Sequence, residues 1–163
     1  MHATRPFRRR FDPGRLARDE RGTQLVELAL VLPLLLVMFG AVAEFGRLFY
    51  TYQTLTKATR AGARYLTTEP ASGASDAEAA NLVVYGNTAG TGDPIIKGLT
   101  ADHVEVTREG GTTVLPERVS VQISGFTYVP IFDLGALVGS RTLSLNVQLS
   151  PSTTMRMLGT TPS

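Results

Sequence analysis

The sequence predicts an α+β fold in which a long N-terminal helix packs against a small antiparallel sheet. Apolar residues recur at three- and four-residue steps up to residue 66, which is the spacing of one helix face. Three later segments alternate apolar and polar residues, as half-buried strands do. The chain has 163 residues, and only 18% of them are charged, against roughly 25% in an average soluble domain. This apolar excess indicates one strongly hydrophobic segment.

Residues 1–22 form a basic leader. Seven arginines face three acidic residues in it, whereas residues 47–163 carry nine basic and nine acidic residues. Four basic residues lie within twenty residues beyond the apolar segment that follows the leader: Arg47, Lys57, Arg60 and Arg64. Because an excess of basic residues marks the cytoplasmic side of a membrane segment, we expect the N-terminus in the cytoplasm and residues 44–163 outside it.

The apolar segment at residues 25–43 contains a single charge, that of Glu27. A helix of this length spans about 28 Å, close to the roughly 30 Å thickness of the hydrocarbon core of a bilayer. A buried core helix usually needs far fewer consecutive apolar positions. We therefore predict one transmembrane helix over residues 23–43 and a single-pass protein of the cell (inner) membrane.

The residues alone leave more than one interpretation of this N-terminal region. It can act as a plain signal anchor that is kept whole. It can also be a secretory signal peptide, because Ala41-Val42-Ala43 is a small-x-small site after an apolar run, and cleavage before Glu44 would release a soluble protein.

A third interpretation starts from the boundary between the basic leader and the apolar segment. The leader ends at Gly22, four residues follow, and then comes Glu27. A carboxylate within a membrane helix is costly unless it lies at the headgroup edge or pairs with a positive group. Cleavage after Gly22 would create such a group, the new amine of Thr23. This arrangement resembles the prepilin-peptidase signal of type IV pilins and pseudopilins.

The residues after the apolar segment extend the resemblance. E-F-G-R occupies residues 44–47, and A-T-R-A-G-A-R occupies residues 58–64. With these motifs, residues 21–66 resemble the TadE family, the pseudopilin-like proteins of tight-adherence (Tad/Flp) pilus assembly. One departure is Ala61, where the family commonly has Glu, so any role of that acid is absent here.

The resemblance implies a pilin-like fold and a non-enzymatic pseudopilin or minor pilin that assembles a Tad pilus for cell adhesion. A prepilin peptidase would cut after Gly22, and Glu27 would register the subunit against a neighbouring N-terminus. The implied partners are the membrane, the peptidase, other Tad pilins and pseudopilins, and the inner-membrane assembly platform. The alternatives are an uncleaved membrane-anchored extracytoplasmic binding or assembly factor, and a secreted domain cut after Ala43.

The helix is expected to continue through residues 44–66 into the extracytoplasmic domain. A mostly apolar stripe predicts its packing face: Phe45, Leu48, Phe49, Tyr52, Leu55, Thr59, Gly62 and Leu66. Arg60 and Arg64 fall on another face, where they can pack locally or bind a partner. Glu44 and Arg47 are three residues apart, which predicts an exposed ion pair worth about a few tenths of a kcal/mol, with partner docking as the alternative.

The remaining elements are short. The capping-box pattern Ser75-Asp76-Ala77-Glu78 predicts a helix over residues 76–85 that Gly86 ends. Alternating residues predict strands near 103–108, 117–125 and 142–150, which would form a one-sided antiparallel sheet on the long helix. The tail from Pro151 is expected to be frayed.

Residues 128–138 form an apolar loop between the second and third predicted strands. Burial under the sheet is the first interpretation of such a loop. A patch that contacts a partner or the membrane is the alternative.

The composition argues against an enzyme and against a bound cofactor. The chain has no cysteine and two histidines, His2 and His103, which excludes disulfide scaffolds and thiol chemistry and leaves few ligands for a metal. It contains no G-x-S-x-G motif and no P-loop. A net charge of +2 is too small to indicate a nucleic-acid binder.

Overall fold

The computed structural model describes residues 20–112, 116–132, 139 and 146–158. The predicted α+β fold is confirmed: the chain has a long apolar N-terminal helix and a second helix packed on a small antiparallel sheet. The chain divides into two compact units, which meet between Gly40 and Ala41 within the first helix. The basic leader lies outside the described residues except for its last three.

Helix α1 runs from Glu20 to Leu66 without interruption. Among the described residues, it is the one helix long and apolar enough to cross a membrane, and no residue of its most apolar stretch is buried. Exposed large apolar residues extend from Leu25 to Phe39. A run of this kind cannot be left in water, so α1 is consistent with a single-pass membrane protein.

Helix α2 runs from Gly73 to Tyr85, and its start corrects the sequence-based prediction. The capping residue is Ser72, whose hydroxyl accepts a hydrogen bond from the Ser75 amide at 3.1 Å, while the Ser75 hydroxyl accepts one from the Ser72 amide at 3.2 Å. The reciprocal pair satisfies two amides of the first turn, so Ser75 is the third helical residue rather than the cap. At the other end, Gly86 takes the left-handed conformation (φ 75°) and stops the helix.

The main sheet has three antiparallel strands. Strand β1 is Val104–Glu109, strand β2 is Arg118–Ile123, and strand β5 is Ser152–Arg156, in the order β1-β2-β5. The central strand pairs Val121 with Val106 on one side and with Thr153 on the other. Two further strands, β3 (Thr127–Tyr128) and β4 (Val147–Gln148), form a separate antiparallel pair.

The C-terminal part of the sheet differs from the prediction. Residues 142–145 of the strand expected near 142–150 lie outside the described residues, and the strand within the remainder, β4, pairs with β3 rather than with the main sheet. The third strand of the main sheet comes instead from the tail that we expected to be frayed. Ser152–Arg156 form a strand there because the free edge of β2 offers unpaired backbone groups, which these residues satisfy.

The buried face of α1 also differs from the predicted stripe. Leu55 and Leu66 are in the core, but Phe45, Phe49 and Tyr52 are exposed. The buried face instead follows the positions Glu44, Leu48, Thr51, Leu55, Ala58, Thr59, Gly62, Ala63 and Leu66. It packs with Val83 of α2 and with Val119, Val121 and Ile123 of β2 in one hydrophobic core.

Gly62 sets how closely α1 approaches its neighbours. A Cβ atom at this position would lie 2.7 Å from Cγ2 of Val83 and 3.4 Å from the Ala79 carbonyl oxygen. The first distance is shorter than any ordinary carbon–carbon contact, so only glycine fits here without a shift of α2. The sequence therefore uses a small residue to bring the two helices together.

Candidate functional site

Glu44 is the first residue after the apolar segment, and its side chain is buried to 2% exposure. Its carboxylate accepts a hydrogen bond from the Tyr128 hydroxyl. It also accepts bonds from the backbone amides of Ile131, at 3.1 Å, and Phe132, at 3.3 Å. One helix residue therefore holds a segment that lies more than eighty positions away in the sequence, residues 128–132, which we call the clamped segment.

Arg47 completes the site from the next turn of α1. Its guanidinium lies 3.7 Å from a Glu44 carboxylate oxygen, and the guanidinium carbon is 5.5 Å from the centre of the Tyr128 ring. The Arg47 side chain is 44% exposed. The predicted ion pair is present, but its expected exposure is wrong for Glu44, because that carboxylate is buried and its shortest contacts are made with the clamped segment.

The contacts of Glu44 keep it ionised. Burial alone would raise the pKa of Glu44, but the hydrogen bonds from Tyr128 and from the Phe132 and Ile131 amides, with the charge of Arg47, hold this pKa below its ordinary value of 4.5. The pKa of Tyr128 is raised to about 12 by burial and by its hydrogen bond to Glu44. At neutral pH a neutral phenol therefore donates to a carboxylate, which is the strong form of this hydrogen bond.

The clamped segment presents apolar side chains to its surroundings. Tyr128 is buried at the end of β3, but Val129, Ile131 and Phe132 are exposed. For Val129, Ile131 and Phe132, this corrects the expectation that the apolar loop is buried under the sheet. Residues 133–138 of that loop lie outside the described residues.

The other residues predicted to act in processing and assembly are separate from Glu44 and Arg47 in the sequence and along the helix. Gly22, Thr23 and Glu27 lie in the first turns of α1 and are exposed. Thr23 and Glu27 are four residues apart, so they share one helix face. Arg60 and Arg64 are exposed near the end of α1. Of the predicted residues, the structure brings Glu44 and Arg47 together.

Sequence reasoning missed the role of Glu44 because its partners are distant in the chain. A signal was nevertheless present, since Glu44 stands four, seven and eleven residues before Leu48, Thr51 and Leu55 on the buried face. Choosing the stripe by hydrophobicity alone favoured Phe45 over Glu44.

The described residues show no group that would hold a metal. They contain no cluster of three or more His, Cys, Asp or Glu side chains with suitable geometry. The ring of His103 contacts the edge of Phe126 with 5.8 Å between centroids, and its Nδ1 accepts a hydrogen bond from the Thr100 amide at 3.1 Å. His103 therefore stabilises the turn that leads into β1.

Comparison with known protein families identifies one match. Residues 22–64 match a family model described as TadE-like protein, which confirms the resemblance over this segment. The TadE-like family is associated with the Tad pilus and with the membrane, and it is not known as a family of enzymes. No curated protein and no solved structure matches the chain.

Proposed function

We propose that this protein, with its TadE-like segment at residues 22–64, is a non-enzymatic pseudopilin or minor pilin in the assembly of a Tad pilus. The observation that carries the proposal is the extent of that match. It begins at Gly22, the residue after which a prepilin peptidase would cut, and it continues through the whole apolar part of α1 into the buried part. The head domain, residues 44–163, would then lie outside the cytoplasm, and the basic leader inside it.

Cleavage between Gly22 and Thr23 would give the mature chain a free amine next to Glu27. A carboxylate at the centre of a membrane helix costs about 2.5–3.5 kcal/mol on insertion scales, and less near the interface. Pairing with the amine of Thr23, in the same subunit or in a neighbour, would reduce this cost. Such a pair would place adjacent subunits in register.

The exposed aromatic residues of α1 support packing between subunits. Phe45 and Phe49 are 61% and 62% exposed, although they stand on a helix that also forms the core of the head domain. Tyr52, three residues further along α1, is also exposed. Helices of other Tad pilins or pseudopilins are the natural partners of this face in a filament.

Exposed basic residues near the end of α1 are candidates for contact with other assembly components. Arg60 and Arg64, with Lys57, stand at three- and four-residue steps on the exposed side of the helix. An acidic surface on the inner-membrane assembly platform would complement them.

Pilus assembly in a strain that lacks the gene tests this proposal. Complementation with the wild-type chain is expected to restore surface pili, whereas Gly22→Leu and Glu27→Ala are expected to abolish or strongly reduce them. Gly40→Leu is the matched control for the first variant, because neither glycine has other atoms within 4 Å of the position of an added Cβ. Full piliation with both Gly22→Leu and Glu27→Ala would contradict the proposal.

One observation favours a second candidate, an uncleaved membrane-anchored assembly factor. The Gly22–Thr23 peptide bond lies within helix α1, so the helix would have to unwind there before a peptidase could cut it. Such a factor would support piliation with Gly22→Leu in place. A domain secreted by cleavage after Ala43 is disfavoured, because the family match runs through residues 43 and 44.

A further inference from the structure

We infer that the clamped segment inserts its exposed apolar side chains into the lipid bilayer on the extracytoplasmic side. The inference rests on the proposed anchoring of residues 23–43 in the membrane and goes beyond a role in the pilus. It gives the head domain a lipid contact of its own beside the transmembrane helix.

The contact between Glu44 and the clamped segment is made where the apolar run of α1 ends. Glu44 directly follows the apolar run that ends at Ala43, so a helix that spans the bilayer with residues 23–43 places Glu44 at the membrane boundary. The Ile131 and Phe132 amides lie 3.1 and 3.3 Å from the Glu44 carboxylate. The clamped segment is therefore at the depth at which α1 leaves the membrane.

The clamped segment exposes large apolar side chains. Val129, Ile131 and Phe132 are 68%, 69% and 53% exposed, so three large apolar side chains face outward within four residues. A contiguous exposed patch of this kind marks a contact with a membrane or with another protein.

Two backbone amides of the clamped segment are already suited to an apolar medium such as lipid. A backbone amide that enters the bilayer without a hydrogen-bond acceptor costs several kcal/mol. The backbone amides of Ile131 and Phe132, two residues with exposed apolar side chains, already donate to Glu44. The buried carboxylate thus removes the penalty that these two amides would otherwise carry in an apolar medium.

The surroundings of the clamped segment also suit lipid headgroups. A groove beside Val129 and Ile131 is lined by Arg47 and Lys97, and its described lining contains no acidic side chain. The side chain of Tyr50 at this groove is 69% exposed. Basic residues bind the phosphates of anionic lipids, and tyrosine is enriched at the membrane interface.

Depth-dependent fluorescence quenching in proteoliposomes tests the inference. The chain has no cysteine, so single-cysteine variants can carry one environment-sensitive probe each. The probe at Ile131→Cys reports on the clamped segment, the probe at Leu34→Cys reports on the membrane helix, and the probe at Thr68→Cys serves as the exposed control. Thr68 lies beyond the end of α1, about 33 Å along the helix axis from Glu44.

The full chain is reconstituted in vesicles of phosphatidylcholine and phosphatidylglycerol that contain lipids with a nitroxide near the headgroup or deep in the acyl chain. We expect blue-shifted emission at position 131 and loss of its intensity with the shallow nitroxide. The probe at position 34 should be quenched by the deep nitroxide, and the probe at position 68 by neither. Combining Ile131→Cys with Glu44→Gln or with Tyr128→Phe should reduce the quenching at position 131 and leave that at position 34 unchanged.

The outcomes separate the inference from its premise. Quenching at position 34 without quenching at position 131 would overturn the lipid contact while the membrane anchor stands. A blue shift at position 131 that depends on protein density and not on nitroxide would assign this surface to a second copy of the chain, and it would also overturn the inference. Absence of quenching at position 34 would remove the anchor itself, and the inference with it.

Discussion

Glu44 is buried and accepts three hydrogen bonds from the clamped segment, whereas its partner Arg47 is exposed. A buried charge is tolerated only when enough donors surround it, and here three hydrogen-bond donors and one guanidinium do so. Removing the charge leaves two amides and a phenol short of an acceptor. The effect of a substitution at this residue should therefore depend on pH.

We expect Glu44→Gln to lower the free energy of unfolding of the full chain in detergent by about 1–3 kcal/mol at neutral pH, since an amide oxygen replaces a charged acceptor. Because the pKa of Glu44 is lowered on folding, the stabilisation is present above its ordinary value of 4.5 and is lost as the pH falls through the lower folded pKa. Denaturant titrations of wild type and variant across this range measure the difference.

The matched control is Glu105→Gln, at an exposed position of β1. This substitution should change the unfolding free energy by less than about 0.5 kcal/mol. An equal effect at both positions, or a Glu44→Gln effect that persists unchanged in acid, would argue against the buried ionised carboxylate.

Among the secondary-structure elements, those with a strong local pattern were predictable. The apolar run and its helical continuation indicate α1, and the alternating valines of β1 and β2 match the observed strands. Strand β5 was missed because Ser152–Arg156 has little apolar alternation and owes its place to backbone pairing with β2. A strand that completes the edge of an existing sheet needs few apolar side chains of its own.

The buried face of α1 shows a second limit of pattern reasoning. Thr51 and Thr59 are buried although they are polar. The Thr51 hydroxyl donates to the Arg47 carbonyl at 3.0 Å, and the Thr59 hydroxyl shares a 3.0 Å hydrogen bond with Thr153 of β5. Because their hydrogen bonds are satisfied within the structure, these threonines are buried at little cost. Hydrophobicity alone could not place Thr51 on the core face, whereas the helical spacing of the predicted stripe did place Thr59 there.

The contact between α1 and α2 yields a prediction for Gly62. Gly62→Ala would put a methyl group 2.7 Å from Val83, so we expect a loss of about 1–3 kcal/mol in unfolding free energy from overpacking. Gly46→Ala is the control on the same helix, since nothing lies within 4 Å of its added Cβ, and it should gain up to about 1 kcal/mol from helix propensity. Chemical unfolding of the full chain measures both. Equal stabilities of the two variants would be inconsistent with the close approach of the helices.

At the scale of the whole molecule, the proposed membrane segment and the proposed head domain share one continuous helix, α1. Removal of residues 1–22 would take away all seven leader arginines and leave nine basic and eleven acidic side chains, so the mature chain would be mildly acidic. The resemblance of residues 22–64 to the TadE-like family could be predicted from the sequence, because its motifs are local. The clamp between Glu44 and residues 128–132 could not, because it depends on a contact across the fold.

The proposed cleavage after Gly22 is tested by the N-terminal residue and intact mass of the protein, isolated from membranes of a host with an active prepilin peptidase. We expect a mature chain that begins at Thr23, and a chain of full length from the Gly22→Leu variant. A wild-type chain that begins at Glu44 would identify a secreted domain, and one that keeps Met1 would identify a permanent anchor. Either result would contradict the proposed processing.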